Sequence, residues 1–354
     1  MVNDFLGMGC ATLIGSMPQK DRDKAIDLVL QTAPEIPAWP QLTVNGAEQM
    51  MVQYVEGLPG FVSAEERQFV DCAAPGFDRE VLLFYERYLA IEEGGLKVDD
   101  SAFGLGEQTG ATFRKFVEIL KRSGAAPRAV KGQVTGPFTL LCGLKDQEGR
   151  ALIYNEQFVD IVPKLLGLKA RWQIETMRAF GVPVIIFLDE PGLAGFGSSA
   201  LITVSAELVQ SVLGEVVAAV HDAGGLAGVH VCANTDWLLA FQSGFDIINF
   251  DAYSYFDKFA LYGKDCLDFI DRGGNIAWGI VPTSDPEVIA SESPESLAAR
   301  WTARVGTLAP ERTHDILSHS LFTPSCGCGS LSEEHAARVL ELLRGFCRII
   351  RKQG

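Results

Sequence analysis

Short apolar runs that end in polar or turn-forming residues alternate along the chain with longer segments of helical periodicity. The runs that read as strands are Ala11–Ser16, Ile36–Leu42, Ala129–Thr135, Val182–Asp189, Leu226–Cys232, Phe245–Asp251, Asn275–Val281 and Ile316–Phe322. Amphipathic segments separate the later ones: Leu152–Phe180 before Gly181, Ser205–Ala223 before Gly224-Gly225, Lys258–Arg272 before Gly273-Gly274, then Pro294–Val305 and Ser332–Ile349. Ser205 is placed as an N-cap, and the glycines as stops. Strand and helix in alternation predict parallel βαβ units with the helices outside. Eight strands of this kind predict a (β/α)8 TIM barrel, which takes roughly 250 residues and more with insertions. The surplus lies between strands two and three, at 46–128. It is expected to be a helical insertion with helices at Ser63–Cys72, Asp78–Glu93 and Glu107–Ser123. No linker or repeat divides the chain, so residues 1–354 read as one domain. An open doubly wound sheet is the other architecture, but the first strand lacks the GxGxxG loop that such a sheet uses for phosphate.

Composition narrows the partners. Of 354 residues, 47% are hydrophobic and 21% charged, as in a globular protein. The formal net charge is −15, which argues against nucleic acid and against anionic membrane surfaces. Mean hydropathy is +0.15, yet no apolar run approaches the ~18 residues of a membrane span. The N-terminal stretch has no basic region and carries Asp4, so it does not read as a signal peptide. Eight scattered cysteines in a chain of this length read as reduced thiols, which predicts a cytoplasmic protein.

The strand ends carry the chemistry. They read Ile14-Gly15-Ser16, Gln41-Leu42, Thr135-Gly136-Pro137, Asp189-Glu190-Pro191, His230-Val231-Cys232, Asp251, Thr283-Ser284-Asp285 and Ser325-Cys326-Gly327-Cys328. In a barrel these ends share one face, where active sites sit. His230 and Cys232, two apart on a strand, point to the same side. With Cys326 they form a one-imidazole, two-thiolate set that suits Zn2+. Cys328 is an alternative to Cys326, and Asp251 a candidate fourth ligand. Zinc lowers the pKa of a bound thiol, so the set points to alkyl transfer onto sulfur. Asp189 is a candidate receiver of a substrate ammonium group. Ser16 and its neighbouring N–H groups are candidates for a carboxylate.

Taken in order over about residues 7–350, these motifs resemble the catalytic C-terminal barrel of cobalamin-independent methionine synthase. The resemblance implies a zinc site at His230, Cys232 and Cys326, with Asp251 where the family has a Glu. It implies homocysteine binding through Ile14, Ser16 and Asp189, with Gln41 where a Glu is expected, and methyl transfer that yields methionine. The turn after strand seven has no His to protonate a folate leaving group, and the chain has room for one barrel only. Both features imply a methylcobalamin or methylated corrinoid donor. The chain lacks an Asp-x-His-x-x-Gly motif, so a partner corrinoid protein is expected to present it. Alternatives within the superfamily are transfer to another thiol such as coenzyme M, a non-catalytic partner of a corrinoid protein, and uroporphyrinogen decarboxylase. The last is disfavoured by the absence of an Arg-rich N-terminal segment.

Overall fold

The computed structural model describes residues 5–64 and 67–353. Its strands are β1 (Cys10–Ala11), β2 (Ser16–Met17), β3 (Gln41–Leu42), β4 (Phe61–Ala64), β5 (Arg67–Val70), β6 (Val130–Thr135), β7 (Val184–Asp189), β8 (Leu226–Val231), β9 (Ile247–Phe250), β10 (Asn275–Val281) and β11 (Ser320–Pro324). The helices are α1 (Arg22–Thr32), α2 (Met50–Gln53), α3 (Phe77–Glu92), α4 (Ala111–Ser123), α5 (Pro137–Gly143), α6 (Glu156–Met177) and α7 (Ala206–Asp222). They continue with α8 (Trp237–Gln242), α9 (Ala252–Phe259), α10 (Gly263–Asp271), α11 (Pro286–Ser291), α12 (Pro294–Leu308), α13 (Thr313–Ser318) and α14 (Glu333–Gln353).

Seven parallel strands form one curled sheet in the order β1-β11-β10-β9-β8-β7-β6. Segment 36–42 bridges its two edges. Lys131 N donates to Pro37 O at 2.9 Å and Trp39 N to Lys131 O at 3.2 Å. On the other side Thr12 Oγ1 donates to Ile36 O at 2.9 Å, and Ser16-Met17 pairs in parallel with Gln41-Leu42. The result is a TIM-like barrel in which the second strand keeps only two regular residues. The first strand is interrupted between β1 and β2, where Gly15 adopts φ 150°. A Cβ there would lie 2.9 Å from Gln133 Cδ, so only glycine fits the turn.

Apolar side chains from different strands meet inside the ring, among them Cys10, Ile36, Ile185, Ile247, Ala277 and Leu321. This packed floor supports a polar layer above it. Outside, α6 and α7 cross closely at Gly167, where a Cβ would come within 2.8 Å of the Ala219 Cβ. Helix α14 packs against α1 and α12, and Arg351 Nε donates to Gly9 O at 3.1 Å, fastening the last helix to the first strand. Among the described residues no helix is long and apolar enough to cross a membrane.

Two expectations need correcting. Segment 46–128 is mixed rather than helical. Helices α3 and α4 stand near Asp78–Glu93 and Glu107–Ser123, but the predicted helix Ser63–Cys72 is not formed. Instead β4 and β5 make an antiparallel hairpin in which Phe61 pairs with Val70 and Val62 with Phe69. Apolar aromatic and β-branched residues at both ends of a polar stretch satisfy cross-strand pairing better than a helix face. The last barrel strand begins later than Ile316. That residue is buried on α13, so its apolarity served helix packing.

Candidate metal centre

The register of the sheet lines up a polar row at the C-terminal ends of four strands. Thr135 pairs with Asp189, Asp189 with His230, and His230 with Asn249. All four are buried. Cys232 follows the end of β8, and Cys326 follows β11. The ligand atoms of His230, Cys232 and Cys326 lie within 4.8 Å of one another. Among the described residues they are the only such group of His, Cys, Asp or Glu.

Backbone bonds deliver Cys326 to this place. Ser325 N donates to Val281 O at 2.8 Å, and Cys328 N to Ser16 O at 2.8 Å. Gly329 N donates to Ser16 Oγ at 3.3 Å. Gly327 passes so near Ser16 that a Cβ would fall 1.9 Å from its Oγ. The Cys328 thiol is outside the group and buried, and burial pushes it up to about 12. Between the two cysteines of the CxC turn, Cys326 is the one aimed inward.

Asn249 decides the state of His230. Its Nδ2 donates to Ala277 O at 2.7 Å and to Thr323 Oγ1 at 2.8 Å. Its Oδ1 therefore faces His230 Nδ1 and requires a proton on that nitrogen. His230 Nε2 is buried without a hydrogen bond of good geometry; burial opposes a charge on the ring, but Cys232 and Asp189 push its pKa up overall, and in the neutral ring the Nε2 lone pair is free. The Cys326 thiol, donating to Cys232, and the adjacent His230 hold the Cys232 thiol down to about 4. Cys326 is correspondingly pushed up, first by Cys232 and then by burial. One thiolate, one thiol and one bare imidazole nitrogen are a donor set that fits zinc. Asp251 does not join them. Its carboxylate accepts from Ser254 N at 2.9 Å as the N-cap of α9.

Beside this group Asp189 Oδ1 is buried and has no partner. Burial pushes the Asp189 carboxyl up to about 6, against Lys131 and His230. Lys131 lies in the barrel interior, fully buried. Its Nζ donates to Ile14 O at 2.7 Å and Gln133 Oε1 at 3.3 Å and sits 4.4 Å above the Phe187 ring. Burial lowers it to about 8, and the Asp189 charge opposes that. The backbone of Ile14 is thus tied to the same lysine that answers Asp189. Gln41 Nε2 donates to Gln53 Oε1 at 2.5 Å, so its amide is already committed on one side. Glu190 points away from the site. It accepts from Phe138 N at 2.9 Å, Thr139 N at 2.8 Å and Thr139 Oγ1 at 2.6 Å, capping the preceding helix α5.

No protein-family profile matches the sequence, and no curated protein matches it. Solved structures do. A B12-independent methionine synthase from Shewanella sp. W3-18-1, in complex with selenomethionine, matches at 15% identity with a TM-score of 0.54, covering 97% of this chain and 98% of that one. A structure of the pneumococcal virulence factor StrH, described for N-glycan recognition and hydrolysis, matches at 11% identity with a TM-score of 0.51, covering 96% and 82%. What is shared is the fold. It is a TIM-like barrel similar to that of a methionine synthase.

Of the residues singled out in the sequence, His230, Cys232 and Cys326 converge. Asp189 stands beside His230, and Ile14, Ser16 and Gln41 meet around Gly15 and the Cys326 loop. Asn249 and Lys131 were missed, although the alternation Lys131, Gln133, Thr135 in an otherwise apolar strand marks an inward polar face. Tyr54, with a buried hydroxyl that has no partner, lay in a segment with no strand pattern to aim it. A cavity of about 360 Å3 opens on the outer surface between α3, α6 and α7. Its cations Lys164 and Arg171 are already paired with Glu215 and Glu92, and its Arg178 donates to Ala223 O at 2.6 Å.

Proposed function

We propose that the protein is a zinc-dependent S-methyltransferase whose acceptor is a thiol, with homocysteine, giving methionine, as the first candidate. The observation that carries the reading is the bare, buried Nε2 of His230 beside the two sulfurs of Cys232 and Cys326. His230, Cys232 and Cys326 would hold the ion, and a bound zinc supplies Lewis acidity that keeps an acceptor thiol deprotonated at neutral pH. Asn249 holds the imidazole in the required tautomer. Asp189 offers its free oxygen to the ammonium group of the acceptor, and Lys131 steadies both that carboxylate and the Ile14–Ser16 turn, where a carboxylate would sit. Residues 1–354 act as one unit on this reading, and the eight cysteines, all free, suit a reducing cytoplasm.

The donor is proposed as methylcobalamin or a methylated corrinoid protein, because no His follows β10 to protonate a folate leaving group. Length no longer argues for this donor: the B12-independent neighbour is matched over 98% of its own chain. A glycosidase reading has less support. Glycoside hydrolysis takes a pair of available carboxylates, and at this barrel mouth Glu190 is fully engaged by Phe138 and Thr139.

Metal analysis of the purified protein should find about one zinc per chain, lost in Cys232→Ala. Zinc-loaded protein is then incubated with homocysteine or coenzyme M, each with methylcobalamin or methylfolate, and the methylated thiol is measured. Methionine from methylcobalamin is the expected product. Corrinoid binding without turnover would favour a non-catalytic partner, and no methylated thiol from any pair would refute the enzyme.

A further inference from the structure

One polar group at the barrel mouth comes from no barrel strand. Tyr54 follows α2, and its side chain is 1% exposed. Two anchors hold that short helix. Thr135 Oγ1 donates to Met50 O at 2.6 Å. Gln53 accepts from Gln41 at 2.5 Å and donates through Nε2 to Thr109 O at 2.7 Å. Thr135 is the lateral partner of Asp189 in the sheet, so the anchors bring the end of α2 to the ends of β6 and β7, within reach of the Asp189 charge. Burial and then the Asp189 charge push the Tyr54 phenol well above its usual value, which keeps the hydroxyl protonated.

Tyr54 Oη and Asp189 Oδ1 are both buried and both without a partner. Buried polar atoms are almost always satisfied, and leaving two unsatisfied at one end of the barrel is unfavourable. The two oxygens do not satisfy each other. A carboxylate oxygen only accepts and a hydroxyl accepts as well as donates, so the group that completes both is a compact one with several N–H donors. A primary ammonium has that chemistry.

We propose that Tyr54 is a specificity-determining residue: Tyr54 Oη and Asp189 Oδ1 together receive the primary ammonium of the acceptor, so the site takes an amino-thiol in preference to a thiol without an amine. The proposal rests on the S-methyltransferase reading. It gives segment 46–128 a share in substrate choice.

The test uses zinc-loaded full-length protein, wild type and Tyr54→Phe, titrated calorimetrically with L-homocysteine and with 4-mercaptobutanoate, which has the same chain and carboxylate but no amine. Tyr54→Phe should weaken homocysteine about tenfold, as expected for one lost bond to a charged group, and leave 4-mercaptobutanoate within about twofold. In turnover the loss should fall on KM rather than kcat. Equal homocysteine affinity in the two proteins, or an equal loss for both thiols, overturns the role of Tyr54 while leaving the thiol site standing. A wild type that binds neither thiol overturns the methyltransferase reading and this proposal with it. If Tyr54→Phe does not fold, the wild-type preference between the two thiols decides: no preference for homocysteine overturns the proposal.

Discussion

Asn249→Leu tests how the metal centre is held. Leucine keeps the volume and shape of asparagine but removes its acceptor and donors. Three bonds go: the one from His230 Nδ1, the 2.7 Å bond to Ala277 O and the 2.8 Å bond to Thr323 Oγ1. Two separable effects follow. Without zinc, the imidazole N–H and the Ala277 carbonyl lose their partner in a dry interior, which costs about 1–3 kcal/mol of stability. With zinc, His230 is no longer fixed in the tautomer that leaves Nε2 bare. Loss of such an orienting partner typically weakens a metal site about 10–100-fold, or about 1.4–2.7 kcal/mol. Competition against a chromophoric chelator at fixed pH measures the second effect, and thermal unfolding of the metal-free protein measures the first. A folded Asn249→Leu protein with zinc affinity within about twofold of wild type would refute the orienting role.

Other outcomes follow from the same geometry. Gly327→Ala should push the Cys326 loop off Ser16, since its Cβ would fall 1.9 Å from Ser16 Oγ, and chelator competition should show weakened zinc. Removing zinc should lower Tm, because at a free concentration of 100 times Kd the ion adds about 2.7 kcal/mol to the folded state. Cys232→Ala should unfold at the same temperature with and without zinc. Glu190 carries a carboxyl that burial raises to about 7 from the usual 4.5. The folded state therefore holds this proton more tightly, and its contribution to stability, full below pH 4.5, is lost as pH rises through 7. Glu190→Gln should flatten the fall in Tm over that window, and an unchanged slope would show that Glu190 does not titrate there.

The sequence made the barrel legible because parallel strands buried on both faces leave apolar runs, and those runs end where the barrel mouth is. His230-x-Cys232 was readable by strand alternation alone. Asp251 was read by the same rule. It has the inward parity of Asn249, but it stands past the end of β9, where a carboxylate caps the next helix. Glu190 stands in the strand end Asp189-Glu190-Pro191, and its carboxylate caps α5. That is a tertiary contact with no local signal. The pairing of β4 with β5 was hidden because the alternation is short and Arg67 and Gln68 also suit a helix.

The last of the three proposed ligands, Cys326, arrives on a loop pinned to Ser16, and Ser16 is held by Gln41. The proposed metal pocket is complete only once the final strand has docked beside the first. During synthesis, His230 and Cys232 emerge long before their partner, and an ion caught by that pair alone has only two of the three proposed protein ligands. Zinc retention is thus a test of completed assembly: a chain cut before Cys326, or one whose ring has not closed, should release the ion to any competing chelator.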